Sequence, residues 1–211
     1  MNLYGMISLF NGIVALVVGI YALLKARHNF LYLSFSAFLI SVALWSIFNA
    51  VFLYQTDEIP ALFFMRLTMA ACYYIALTFL WFVKNVTEEN TENRFFLYLL
   101  AIPTFFALAN CTRWMIPEVI PKINFAFWPN PGPLMHLCII LFNMTTIYSF
   151  YLLFNAWFRS SGARRRQLKW VTLTMLCMWT GGSTNWFLWY NIPIPPLPNF
   201  FVAVFLLLLT Y

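Results

Sequence analysis

Charge is what this chain has least of. Only 9% of its 211 residues are Asp, Glu, Lys or Arg, where soluble domains carry about 25%. A soluble core is excluded on that ground. The six acidic residues and two histidines are too few and too scattered to build a metal cluster. No nucleophile–base set and no phosphate-cradling glycine loop appears, so nothing in the chain looks catalytic. Four cysteines (Cys72, Cys111, Cys138, Cys177) show no CxxC spacing. The start, Met1-Asn2-Leu3-Tyr4, lacks the basic residues and small-residue cleavage site of a signal peptide. No polar stretch is long enough for a second domain, and residues 1–211 read as one membrane domain.

What is abundant is hydrophobic sequence, 63% of the chain. About 20 apolar residues cross a hydrocarbon layer as a helix. Leu3–Leu24, Phe30–Tyr54, Ala61–Val83, Leu134–Phe158 and Trp170–Tyr190 meet that length. Phe95–Asn110 is shorter and carries Pro103, which predicts a kink. Asn199–Tyr211 begins a seventh span and stops short of full length, which predicts that the chain continues. Between the fourth and fifth runs, Cys111–Pro133 has five prolines with Trp114 and Trp128, suited to the headgroup region rather than to a span. The fold class expected is an all-α integral membrane bundle of seven transmembrane helices.

The basic knot Arg164-Arg165-Arg166-Gln167-Leu168-Lys169 sets the orientation. Ions there cannot enter hydrocarbon without a cost of several kcal/mol each. They mark a cytoplasmic loop by the positive-inside bias. By alternation, Lys25, Arg27, Lys84, Arg94 and Arg159 fall on the same side. Only Arg113 and Lys122 fall opposite, with Arg66 inside a span. The N-terminus is expected outside and the C-terminus cytoplasmic. Because topology accounts for most of the +6 charge, it does not point to nucleic acid.

Polar side chains inside spans are the functional candidates. Counting depth from the span ends puts Trp45, Asn49, Arg66, Tyr73, His136, Asn143, Asn185 and Trp186 in the outer leaflet, on four helices. They would form an outward-opening, aromatic-walled pocket for a small ligand, with Arg66 orienting a polar head. Each also has a plainer role. Membrane asparagines commonly bond a neighbouring helix, Arg66 can reach the headgroups, and His136 can be solvated. Gly181-Gly182-Ser183 suits close helix packing.

Three stretches carry a likeness: Arg164-Arg165-Arg166-Gln167-Leu168-Lys169-Trp170, then Gly181-Gly182-Ser183-Thr184-Asn185-Trp186, then Ile192-Pro193-Ile194-Pro195-Pro196-Leu197-Pro198-Asn199-Phe200. Together they resemble the N-terminal seven-helix sensor region of bacterial histidine kinases. The resemblance implies a sensor in the bacterial inner membrane, taking up an extracytoplasmic or lipid-phase ligand. Helix seven would pass the signal to a cytoplasmic output domain. It implies a homodimer through that cytoplasmic region, and kinase activity only there. No ligand and no cofactor is carried over. The competing reading is a small seven-helix transporter, disfavoured because the inner halves hold Thr172, Thr174 and Asn155 but no ionisable residue. A retinal photoreceptor would need a lysine that Asn199–Tyr211 lacks.

Overall fold

The computed structural model describes residues 3–27, 29–89 and 93–196, so the expected seventh span lies outside the described residues. The helices are α1 (Leu3–Lys25), α2 (Phe30–Leu53), α3 (Glu58–Val86), α4 (Asn93–Leu99), α5 (Ala101–Ala109), α6 (Pro133–Arg159) and α7 (Gly162–Trp189). Between α5 and α6 lie β1 (Val119–Lys122) and β2 (Phe125–Pro129). By length and composition, α1, α2, α3 and α6 can each cross a membrane and Phe96–Ala109 is a shorter apolar run, whereas α7, which covers the expected span 170–190, is long enough but less apolar than these four.

Packing follows membrane rules, with small residues inward and large apolar ones outward. The buried stripe of α1 is Gly5, Ser8, Asn11, Gly12, Ala15, Gly19 and Ala22, recurring every three or four residues. Its other face exposes Phe10, Ile13, Val17 and Leu24, a surface for lipid. Without a side chain at Gly12, α2 comes close: a Cβ there would lie 2.6 Å from Ile47 Cγ1. Hydroxyls fasten the pair, Ser36 Oγ donating to the Gly19 carbonyl (2.7 Å) and Ser8 Oγ to that of Ser46 (3.0 Å). At the centre, Phe79 of α3 is fully buried. Its ring lies 5.5 Å from Phe38 of α2, 5.6 Å from Phe150 of α6 and 5.4 Å from Trp179 of α7.

Three expectations need correction or refinement. The fold is not purely helical, because β1 and β2 pair as an antiparallel hairpin within the proline-rich connector. Its register slips between Ile120 and Lys122, where Pro121 has no N–H to give the ladder. In the run expected as one kinked span at residues 95–110, α4 and α5 meet at Leu100, which keeps helical backbone angles and bonds to Phe96 and Thr104. Pro103 withholds the bond that the Leu99 carbonyl would accept, and its ring crowds that turn. Finally, the basic knot is not a loop. Only Ser160 and Ser161 separate α6 from α7, and the arginines form α7's first turns. Arg, Gln, Leu and Lys are good helix formers, so leaving hydrocarbon does not require leaving the helix. α3 likewise runs past its expected bounds of 61–83 at both ends.

Candidate functional site

One face each of α2, α3 and α7 encloses a cleft, with Phe142 of α6 and Trp128 of β2 completing it. From α2 come Val42, Trp45 and Asn49, spaced to share a helix face. From α3 come Met65, Thr68, Met69, Cys72 and Ile75. α7 gives the longest wall, from Met178 and Trp179 through Gly182 and Asn185 to Trp189. The cavity volume is about 80 Å³. Aromatic rings hold the walls in place: Phe142 lies 5.1 Å from Trp179 and 5.9 Å from Trp186, and Trp128 lies 4.9 Å from Phe125.

Gly182 shapes the space. A Cβ there would meet nothing within 4 Å, so this glycine leaves the cleft open instead of drawing a helix close. That departs from the packing role its neighbourhood suggests. The hydroxyls nearby are spent on their own helices, Ser183 Oγ donating to the Trp179 carbonyl and Thr68 Oγ1 to that of Phe64, each at 2.8 Å. Asn49 Nδ2 donates to Ser8 Oγ at 3.1 Å, tying the α2 wall back to α1. No Asp, Glu, Lys, Arg or His lines the cleft among the described residues. Two donors there lack partners: the Nε1 atoms of Trp128 and Trp179 are buried with no acceptor among the described residues.

Of the eight residues singled out from the sequence, the cleft gathers Trp45, Asn49, Asn185 and Trp186. The other four sit elsewhere. Tyr73 donates its hydroxyl to Asn110 Oδ1 (2.9 Å), and Asn110 Nδ2 donates to the Arg66 carbonyl. Arg66 Nη2 donates to the Ile116 carbonyl at 3.1 Å. These bonds fasten α3 to the connector. Tyr73 also borders a second, apolar crevice with Phe106 of α5 and Cys138 of α6. His136 Nδ1 lies 2.7 Å from the Tyr190 hydroxyl in an exposed pair joining the start of α6 to the end of α7. Asn143 donates to the Ile139 carbonyl of its own helix (2.8 Å).

The residue most at odds with its sequence reading is Lys122. Expected as an outside-loop charge, it is only 7% exposed. Its Nζ donates to the carbonyls of Pro129, Leu188 and Trp189, each at 3.1 Å. The last carbonyls of a helix have no partner within it and carry the negative end of its dipole. An ammonium therefore suits the end of α7. Burial pushes the Lys122 pKa below its ordinary value, and the nearby Glu118 carboxylate opposes the shift. The available signal is two short runs rich in β-branched and aromatic residues (Val119–Lys122, Phe125–Trp128) separated by Ile123-Asn124, which hints at a strand pair.

A family model described as the N-terminal 7TM region of histidine kinase matches residues 7–211. No curated protein and no solved structure matches the chain.

Proposed function

Because the chain belongs to the family of N-terminal seven-transmembrane regions of histidine kinases, we propose that it is the membrane-embedded input domain of such a kinase in the bacterial inner membrane. The seven spans of this reading are α1, α2, α3, the bent α4–α5 pair, α6, α7 and residues 199–211, with the N-terminus outside. The observation that carries the sensing role is the uncharged, aromatic cleft shared by α2, α3, α6 and α7. A ligand there shifts an equilibrium only if it binds two arrangements of those helices differently.

In this reading the span at residues 199–211 passes the signal to the output domain. α7, the sixth span, links the cleft to the cytoplasmic side. It is one helix of 28 residues, or about 42 Å at 1.5 Å per residue. One end borders the cleft. At the other, Arg164 donates to the Val86 carbonyl and to Glu88 Oε1 (3.0 Å), at the end of α3. Displacing α7 at the cleft therefore acts on the basic end, on the side where the proposed cytoplasmic output and its dimer lie.

Gly182→Leu tests this. The substitution has free space to enter and removes a helix-weakening glycine costing about 1 kcal/mol. The chain should keep its thermal stability while the filled cleft abolishes the stimulus dependence of autophosphorylation in the kinase carrying it. A variant that folds and responds with an unaltered dose dependence removes the cleft from the sensing role.

A further inference from the structure

We propose that the cleft takes a neutral, largely apolar molecule bearing a hydrogen-bond acceptor oxygen, such as a carbonyl, that pairs with the indole N–H of Trp128 or of Trp179. This rests on the sensor reading above and names the chemistry of the same site.

Trp128 and Trp179 are 3% and 9% exposed, and both line the cleft. Their Nε1 atoms are buried without an acceptor. An indole nitrogen only donates, and a buried donor left unpaired is costly. The hydroxyls of Thr68 and Ser183 do not compete for the ligand, since each donates within its own helix. Neither indole N–H finds an acceptor in this wall, and the ligand supplies one.

Charge narrows the class. With no Asp, Glu, Lys, Arg or His among the described lining residues, an anion or cation would enter without a counter-ion. A ring of tryptophans could hold a quaternary ammonium through its π faces, but such a cation brings no acceptor and leaves both indole donors unpaired. Met65, Met69 and Met178 offer soft surfaces that adapt to an aliphatic body. A neutral molecule of this kind also partitions into the bilayer and reaches the cleft from lipid.

The test uses the chain in nanodiscs with ¹⁵N-labelled tryptophan, resonances assigned by Trp→Phe variants. Four chain-matched probes are titrated: 2-nonanone, nonane, nonyltrimethylammonium and nonanoate. The ketone should move the Trp128 or the Trp179 indole N–H resonance saturably, leaving that of exposed Trp114 in place. W128F or W179F, whichever removes the paired indole, should weaken its binding by about two- to tenfold, the loss of one ordinary hydrogen bond. Unchanged binding in both variants overturns the assignment. A cleft that answers to the ammonium or the carboxylate and not the ketone overturns the acceptor assignment, yet leaves the cleft as the sensing site. Cleft resonances that answer to none of the probes overturn both.

Discussion

Three carbonyl oxygens around one ammonium join the β1–β2 hairpin to the end of α7. Two of those oxygens belong to α7's last residues and one to β2, so a single side chain fixes the position of the cleft's Trp128 relative to Trp189. Lys122→Met keeps the aliphatic stem and removes every donor. We expect it to lower stability by about 2–4 kcal/mol, because buried acceptors are left unpaired. Thermal unfolding in detergent measures this, and an unchanged midpoint would mean that water replaces the ammonium at no cost. The same residue shows what the sequence hides at this scale. Depth in the membrane can be counted from span ends, and it placed eight candidates at one level. Rotation about each helix axis cannot be counted that way. Asn185 turns into the cleft, whereas Asn143, at a similar depth, bonds its own helix. Neighbours chosen by packing decide which face turns inward.

At the scale of elements, apolar run length located α1, α2 and α6 to within a residue or so at each end, since the hydrocarbon layer sets the length they need. It failed where water takes over. The first turns of α7 are polar yet helical, and the connector's prolines mask a strand pair that packs against α2, α3 and α7. Phe52 of α2 against Trp128 (6.2 Å) and Tyr4 of α1 against Phe125 (5.3 Å) are contacts between distant segments that no local pattern encodes. Close approach of α1 and α2 is the feature most open to test. At Gly12 a side chain would meet Ile47 Cγ1 at 2.6 Å, with the Ala43 carbonyl 3.3 Å away. Gly12→Leu should drive the helices apart and break the Ser8–Asn49 bond behind the α2 wall. A loss of about 1–3 kcal/mol is expected from overpacking, with the thermal midpoint falling accordingly. Gly182→Leu, the same change in open space, should not lower it. Equal losses at the two sites would mean that the spacing at Gly12 is not what holds the pair.

The whole molecule has two unlike ends. The close of α1, α3 and α6 and the start of α7 lie together, as the Arg164–Glu88 contact shows for α3 and α7. That end carries Lys25, Arg27, Lys84, Arg159, Arg164, Arg165, Arg166 and Lys169. The opposite end holds the hairpin with Arg113 and Lys122, and Lys122 is occupied by carbonyls. A bundle so polarised should insert with its basic end in the cytoplasm, because short basic loops resist translocation. The native thiols report on this directly. Cys111 is exposed on the hairpin side, Cys72 and Cys138 are buried, and Cys177 is half-buried midway along α7, away from both aqueous ends. A membrane-impermeant maleimide should therefore label the wild-type chain in intact spheroplasts, and Cys111→Ser should abolish the signal. In that background, Ser161→Cys, at the exposed turn before α7, should react only after the membrane is permeabilised. The reverse pattern would turn the cleft's end toward the cytoplasm and the basic end outward. An extracytoplasmic stimulus could then no longer be relayed along α7 in the direction proposed, whatever the cleft binds.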